Sequence, residues 1–185
     1  MAKNILNITS YNSTGFGIAA QNYIETLLLF SDILCVQEHF LLDSRDKKHS
    51  NTDKIRIFSD KCDMMIIPAV KNNNIVTPGR GIGGLAIMWK KYLTKYVSKV
   101  SSSSFRIQAM KFNIPGNEFI LLNSYFPCDP RSENADNNEL MEVLGEIRSI
   151  ILSAKCNKVI LTGDLNCHLQ DIMPLQTLFG IVLKA

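Results

Sequence analysis

The amino-acid sequence predicts a layered α/β domain, and three observations predict it. A strand, helix, strand unit opens the chain, short apolar strands separated by turn residues fill the middle, and a long amphipathic helix leads into a last buried strand. Alternation of this kind is buried by laying helices on the faces of a sheet.

The first strand is read over Asn4–Ser10, where polar and apolar residues alternate around Ile5, Leu6 and Ile8 before Gly15 and Gly17 break the run. Ala20, Tyr23, Ile24, Leu27 and Leu28 follow at helical spacing and form one apolar face. Asp32–Gln37 holds Ile33, Leu34, Cys35 and Val36 without alternation, the pattern of a strand buried on both faces. Residues 43–62 are polar and charged and read as a surface loop. Met64–Val70 is an expected strand, and Lys71–Gly84, rich in Asn, Gly and Pro, an expected connection.

Strand-like runs continue at Leu85–Trp89, Tyr92–Val100, Phe105–Phe112 and Phe119–Tyr125, with Ser101–Ser104 and Pro115–Asn117 supplying turns. The middle of the chain therefore reads as a mostly antiparallel sheet. Leu140, Val143, Leu144, Ile147, Ile150, Ile151 and Ala154 then share one helical stripe, with Asp136 or Asn137 available as its cap. Lys158–Thr162 is a buried strand that ends at Gly163-Asp164.

Bulk properties bound the reading. With 185 residues, one domain around one core is the expectation, since domains usually run to roughly 100–200 residues. A hydrophobic fraction of 46% with 20% charged residues excludes disordered and collagen-like chains. The net charge of +3 permits nucleic-acid binding without requiring it. Five cysteines, odd in number and without a C-x-x-C pair, point away from a disulfide framework or a zinc site. The N-terminus carries no secretory pattern, so the sequons beginning at Asn7 and Asn12 read as chance and the expected location is intracellular. No apolar stretch approaches the roughly 20 residues of a membrane span.

The chemistry is expected where strands stop. Asn12 follows the first strand, Glu38 follows Ile33–Val36, Tyr125 follows Phe119–Leu122, and Asp164 with Asn166 follows Val159–Leu161. Ligand sites of α/β sheets lie beyond strand ends, so these groups are expected to converge on one pocket. In an extended segment Asp164 and Asn166, two apart, point the same way. Mg²⁺ is bound by one or two carboxylates, other oxygens, waters and substrate phosphate, which suits Glu38 and Asp164 and makes phosphodiester hydrolysis the natural reaction. Other candidates weigh less. His39 and His168 are not assigned as catalysts. PGRGIGG at 78–84 lacks the Lys-Ser/Thr of a phosphate loop and reads as a hairpin turn. Lys90, Lys91, Lys95 and Lys99 are either a basic face for DNA phosphates or a solvated surface.

Taken in order, NITSYNSTGFG, DILCVQEHFL, NSYFPCDP and VILTGDLNCH resemble the ordered motifs of the endonuclease/exonuclease/phosphatase superfamily over roughly residues 4–170. The Gln-Glu-His wording at 37–39, the Tyr-x-Pro step at 125–127 and the His two residues after Asn166 are most similar to the apurinic-type endonuclease domains of LINE-type non-LTR retrotransposons. These domains nick chromosomal DNA so that a reverse transcriptase can prime on the freed 3′ hydroxyl. The resemblance implies a four-layer α/β sandwich of the DNase I-like kind. It also implies a Mg²⁺-dependent endonuclease, with Mn²⁺ as the substitute ion, DNA as partner, no membrane, and the nucleus as site of action. Glu38 and Asn12 would hold the metal, Asp164 would activate the water, Asn166 would orient the phosphate, and Tyr125 would lie near it.

The family pattern continues to a late Asp and a closing Ser-Asp-His, whereas only IMPLQTLFGIVLKA follows Asp171 here. The expectation is a C-terminally truncated domain over 1–172 with an atypical tail at 173–185, its second half and its catalytic constellation incomplete. Two further readings stand beside this one. The first is a phosphatase or phosphodiesterase of the same superfamily acting on a lipid headgroup. The second is a non-catalytic remnant or DNA-binding module.

Overall fold

The structure is a computed structural model that describes residues 5–43, 51–71, 81–127 and 137–166. The chain forms two compact units, Met1–Lys95 and Tyr96–Ala185. The apolar residues accordingly gather in two clusters where length alone suggested one core. The expected tail at 173–185 lies outside the described residues.

In the first unit, β1 (Ile8–Asn12) and β2 (Ile33–Gln37) run parallel, joined through α1 (Ile18–Phe30). The strands β3 (Cys62–Ile67) and β4 (Leu85–Lys90) complete a sheet of order β1-β2-β4-β3, with β4 antiparallel to both neighbours. All five residues of β2 are buried, as its unbroken apolar run predicted. One face of the sheet carries Leu34, Val36, Ala86 and Met88, which pack with Ile24 and Leu28 of α1. Of the expected stripe of α1, Ala20, Ile24 and Leu28 are buried and half-buried Leu27 packs at the margin of the core, while Tyr23 is 50% exposed and sets its ring edge-on to Tyr11 at 4.9 Å. The first strand begins later than expected and runs on to Asn12, because it is the partnership with β2 that defines it.

Two segments depart from the sequence reading. Asn51–Phe58, expected as part of a polar loop, is a 3₁₀ segment that sends Ile55 and Phe58 into the core. A 3₁₀ turn stacks residues three apart, so two apolar side chains suffice to anchor it among charged neighbours. Tyr92–Val100, expected as one strand, divides into a 3₁₀ segment, Lys91–Tyr96, and β5 (Val97–Val100). There the Tyr92 hydroxyl donates to Asp32 Oδ1 at 2.8 Å, Trp89 Nε1 donates to Thr94 Oγ1 at 3.1 Å, and Leu93 is buried. These fixtures wind the backbone where β-propensity alone would extend it.

In the second unit, β6 (Ile107–Ile114) and β7 (Asn117–Tyr125) form a hairpin whose turn uses Gly116 at φ 77°. Then α2 (Asn137–Ser153) returns the chain so that β8 (Val159–Asp164) lies parallel to β7, in the order β5-β6-β7-β8. The antiparallel middle of the chain is thus shared between two sheets. Val143, Ile147, Ile150 and Ile151 of α2 pack on Ile107, Ala109, Ile120, Leu122 and Phe126, with Leu140, Leu144 and Ala154 at the margin, as the helical stripe predicted. Full burial of one such side chain contributes about 1.5–3 kcal/mol. The expected cap, Asp136 or Asn137, lies outside the described side chains. Among the described residues no helix is long and apolar enough to cross a membrane.

The serine turn is held by α2. One oxygen of Glu146, Oε1, accepts from Ser102 Oγ at 2.8 Å, Ser103 N at 2.6 Å, Ser103 Oγ at 3.1 Å and Ser104 N at 3.2 Å. Burial pushes this carboxyl up, but the hydrogen bonds from Ser102, Ser103 and Ser104 outweigh it and hold the group below its ordinary value. A depressed carboxyl contributes stability that is present above its ordinary value of 4.5 and is lost as pH falls below it. We therefore expect the thermal midpoint of the wild type to drop more steeply than that of Glu146→Gln between about pH 5 and about pH 3. Equal slopes in a pH series of melting curves would show that the clamp contributes nothing.

Candidate functional site

The parallel pairs decide where the predicted residues lie. In each pair the two C-terminal strand ends are neighbours: Asn12 is in register with Gln37, and Tyr125 with Asp164. The structure therefore gathers Asn12 and Glu38 at the strand ends of the first unit. It gathers Tyr125, Asp164 and Asn166 at those of the second.

At the first end the backbone is stitched tightly. Ser13 N and Oγ both donate to Gln37 O at 2.9 Å, and Gly15 N donates to Glu38 O at 2.7 Å. Asn12 Oδ1 accepts from Thr14 N at 3.0 Å, so the strand closes in an Asx turn that also fixes the Asn12 side chain. Glu38 and Phe40 have φ of 53° and 57°. That conformation costs a non-glycine residue of the order of 1–3 kcal/mol, and it persists only where the surroundings impose it. Such strain concentrates at working residues. Glu38 is half-buried, and its carboxylate accepts no hydrogen bond among the described residues.

Between the two strained residues stands His39, fully buried. Its Nδ1 accepts from Leu41 N at 3.0 Å, so Nε2 carries the proton and donates to Ile67 O at 3.1 Å. Burial, opposed by the bond to the Ile67 carbonyl, lowers its pKa to about 4. The glycine-rich segment belongs here too. Its described part, 81–84, is the returning arm of the β3–β4 connection, where Ile82 bridges Val70, and not the turn itself.

The second end is built around Gly163. A Cβ on this residue, at φ 133°, would stand 1.9 Å from Ser124 O, so β8 can reach its register with β7 only as glycine. Phe126 N donates to Asp164 O at 2.8 Å and Asn166 Nδ2 to Phe126 O at 3.1 Å. Asn166 lies at φ 42° and its N–H returns to Asp164 Oδ1 at 3.2 Å. The extended geometry used to place Asp164 and Asn166 on one side therefore does not hold, because the strand stops at Asp164 and the chain turns. A hydrogen-bonded turn joins the two instead.

Sequence reasoning missed Arg106. This buried guanidinium lies 5.2 Å from the Tyr125 ring and 4.9 Å from that of Phe105. Its Nε reaches Glu139 Oε1 at 2.6 Å and its NH1 donates to Tyr125 O at 3.4 Å. A charge heading an apolar strand gives no local signal, since its partners come from β7 and α2. His168 lies outside the described residues. Of the four lysines, Lys90, Lys91 and Lys95 belong to the first unit and Lys99, exposed on β5, to the second.

Among the described residues no group of three or more His, Cys, Asp or Glu side chains gathers to hold a metal ion. The first strand end offers one carboxylate and one amide oxygen, and the second offers the same. Hard oxygen donors in that number fit Mg²⁺, which binds few protein carboxylates and keeps waters.

Residues 8–178 match the endonuclease/exonuclease/phosphatase family. No curated protein matches the chain. Among solved structures, TDP2 from C. elegans is similar at 16% identity with a TM-score of 0.54, covering 90% of this chain and 49% of its own. A 3′ phosphatase from Neisseria, solved with a product DNA hairpin, is similar at 13% identity and a TM-score of 0.59, over 88% of this chain and 58% of its own. The endonuclease domain of TRAS1, a telomere-specific non-LTR retrotransposon, is similar at 13% identity and a TM-score of 0.56, over 92% and 69%. The chain thus spans about half to two thirds of the length of these structures. The likeness shows the fold, two mixed sheets with their helices in the DNase I-like α/β class that the sequence predicts.

Gly163 gives this site a sharp test. Gly163→Ala adds both a backbone clash and a strained φ, and should cost about 3 kcal/mol or more in urea unfolding. A loss below about 1 kcal/mol would mean that β7 and β8 tolerate separation.

Proposed function

The chain belongs to the endonuclease/exonuclease/phosphatase family, and on that premise we propose that it is a divalent-metal-dependent phosphodiester hydrolase that nicks DNA for a non-LTR retrotransposon. The observation that carries the reading is the repeated placement of hard oxygen donors at the C-terminal ends of a parallel strand pair. Ligand chemistry in α/β sheets sits at such ends. The likeness to TRAS1 and to the Neisseria phosphatase supports DNA as substrate, and the nucleus is then the place of action.

In this reading Glu38 and Asn12 hold Mg²⁺, or Mn²⁺ in its place. When bound, the ion supplies Lewis-acid stabilisation of the phosphoryl oxygens. Asp164 positions and deprotonates the attacking water. Asn166, anchored through Nδ2 to Phe126 O at 3.1 Å, orients the phosphate. Tyr125 lies near the scissile phosphate, with Arg106 keeping its ring in place.

Conversion of supercoiled plasmid to nicked circles in Mg²⁺ tests the assignment. Glu38→Ala and Asp164→Ala should each lower the rate about 100-fold or more. Equal nicking by the wild type and both variants would overturn it. Salt-sensitive DNA binding without turnover would favour a binding module, and release of a lipid headgroup without nicking a lipid phosphodiesterase.

A further inference from the structure

His39 and the glycines of PGRGIGG, which the reaction above does not use, form one device. Three backbone segments meet around the imidazole. Leu41 N donates to Nδ1 at 3.0 Å, Nε2 donates to Ile67 O at 3.1 Å, and Gly84 lies so close that a Cβ there would stand 2.5 Å from Cε1. The same segments are joined by Phe40 N to Gly83 O at 3.0 Å, Ala69 N to Leu41 O at 2.9 Å and Gly81 N to Phe40 O at 3.2 Å. Gly81 is equally cramped, since its Cβ would meet that of Ala69 at 2.6 Å.

This framework closes on the C-terminal side of Glu38, whose own carbonyl is tied back to Gly15 N at 2.7 Å. Glu38 and Phe40, the residues flanking His39, are the two with positive φ in this stretch. A strained conformation needs an external agent that over-determines it, and the backbone of residues 38–40 has one in the buried ring. We propose that His39 is a positioning residue: through its bonds to Leu41 and Ile67 and its contact with Gly84, it holds Glu38 in the conformation that presents its carboxylate to the metal. The proposal rests on the reading of Glu38 as a metal ligand. It assigns His39 no contact with the ion and no proton transfer.

The test measures Mg²⁺ binding to the intact chain, by titrating MgCl₂ against the thermal midpoint and against the nicking rate. Glu38→Gln should abolish Mg²⁺ stabilisation. His39→Phe, which fills the space without either hydrogen bond, should raise the Mg²⁺ midpoint about 10-fold while the rate at saturating Mg²⁺ falls less than about 3-fold, the signature of lost preorganisation. His39→Asn, whose side-chain oxygen can still accept from Leu41 N, should recover part of the affinity. Gly84→Ala, which pushes on the ring from the far side, should reproduce the His39→Phe effect.

A folded His39→Phe with the wild-type Mg²⁺ midpoint would overturn the proposal while leaving Glu38 as ligand. An unchanged midpoint in Glu38→Gln would overturn the metal reading itself, and this proposal with it. Should the His39 variants not fold, wild-type amide NMR decides. Mg²⁺ should shift the Leu41 and Gly84 signals together with that of Glu38, and a shift confined to Glu38 would refute the coupling.

Discussion

A parallel pair of strands cannot be closed by a tight turn, because the chain must travel back to the end from which it started before it can pair. Both units accept this constraint, one through α1 and the other through α2, and nearly everything else follows from it. The returning helix needs an apolar stripe to lie on the sheet, which is why Ile24 and Leu28 in one unit and Val143, Ile147 and Ile150 in the other are buried. The two strands then finish side by side. Polar residues at their ends come into register without any long-range search, Asn12 with Gln37 and Tyr125 with Asp164.

Side-by-side strand ends demand close backbone approach, and the chain meets that demand with glycine where no side chain fits. Gly163 pairs with Ser124 across a gap with no space for a methyl group, and Gly84 abuts the ring of His39. The two cases differ in what the glycine makes room for. In the second unit it admits a strand to its register. In the first it admits a side chain that braces a strained loop. Gly163 directly precedes Asp164, and Gly84 abuts His39, the residue that follows Glu38.

The regular elements were legible because their signals are local. The stripe from Leu140 to Ala154 and the unbroken run of β2 carry their burial in their own spacing, and the donors after each strand could be named for the same reason. What escaped depends on partners far along the chain. Ile55 and Phe58 gave no sign of a core role because two apolar residues among charges fit a loop equally well. The extended geometry expected between Asp164 and Asn166 failed because periodicity does not say where a strand stops. Arg106 and His39 were silent for a related reason, since the groups that define them come from β7, α2 and the 67–84 region.

The burial of His39 bears on which donor atoms the strand end can offer. Imidazole nitrogen is the ligand that draws zinc, copper and nickel, and those ions outcompete magnesium wherever nitrogen is offered. Here the nitrogen nearest Glu38 in sequence has its lone pair committed to the Leu41 amide and its proton to the Ile67 carbonyl. Both ring nitrogens of His39 are thus committed within the fold, and neither keeps a lone pair to offer a metal ion.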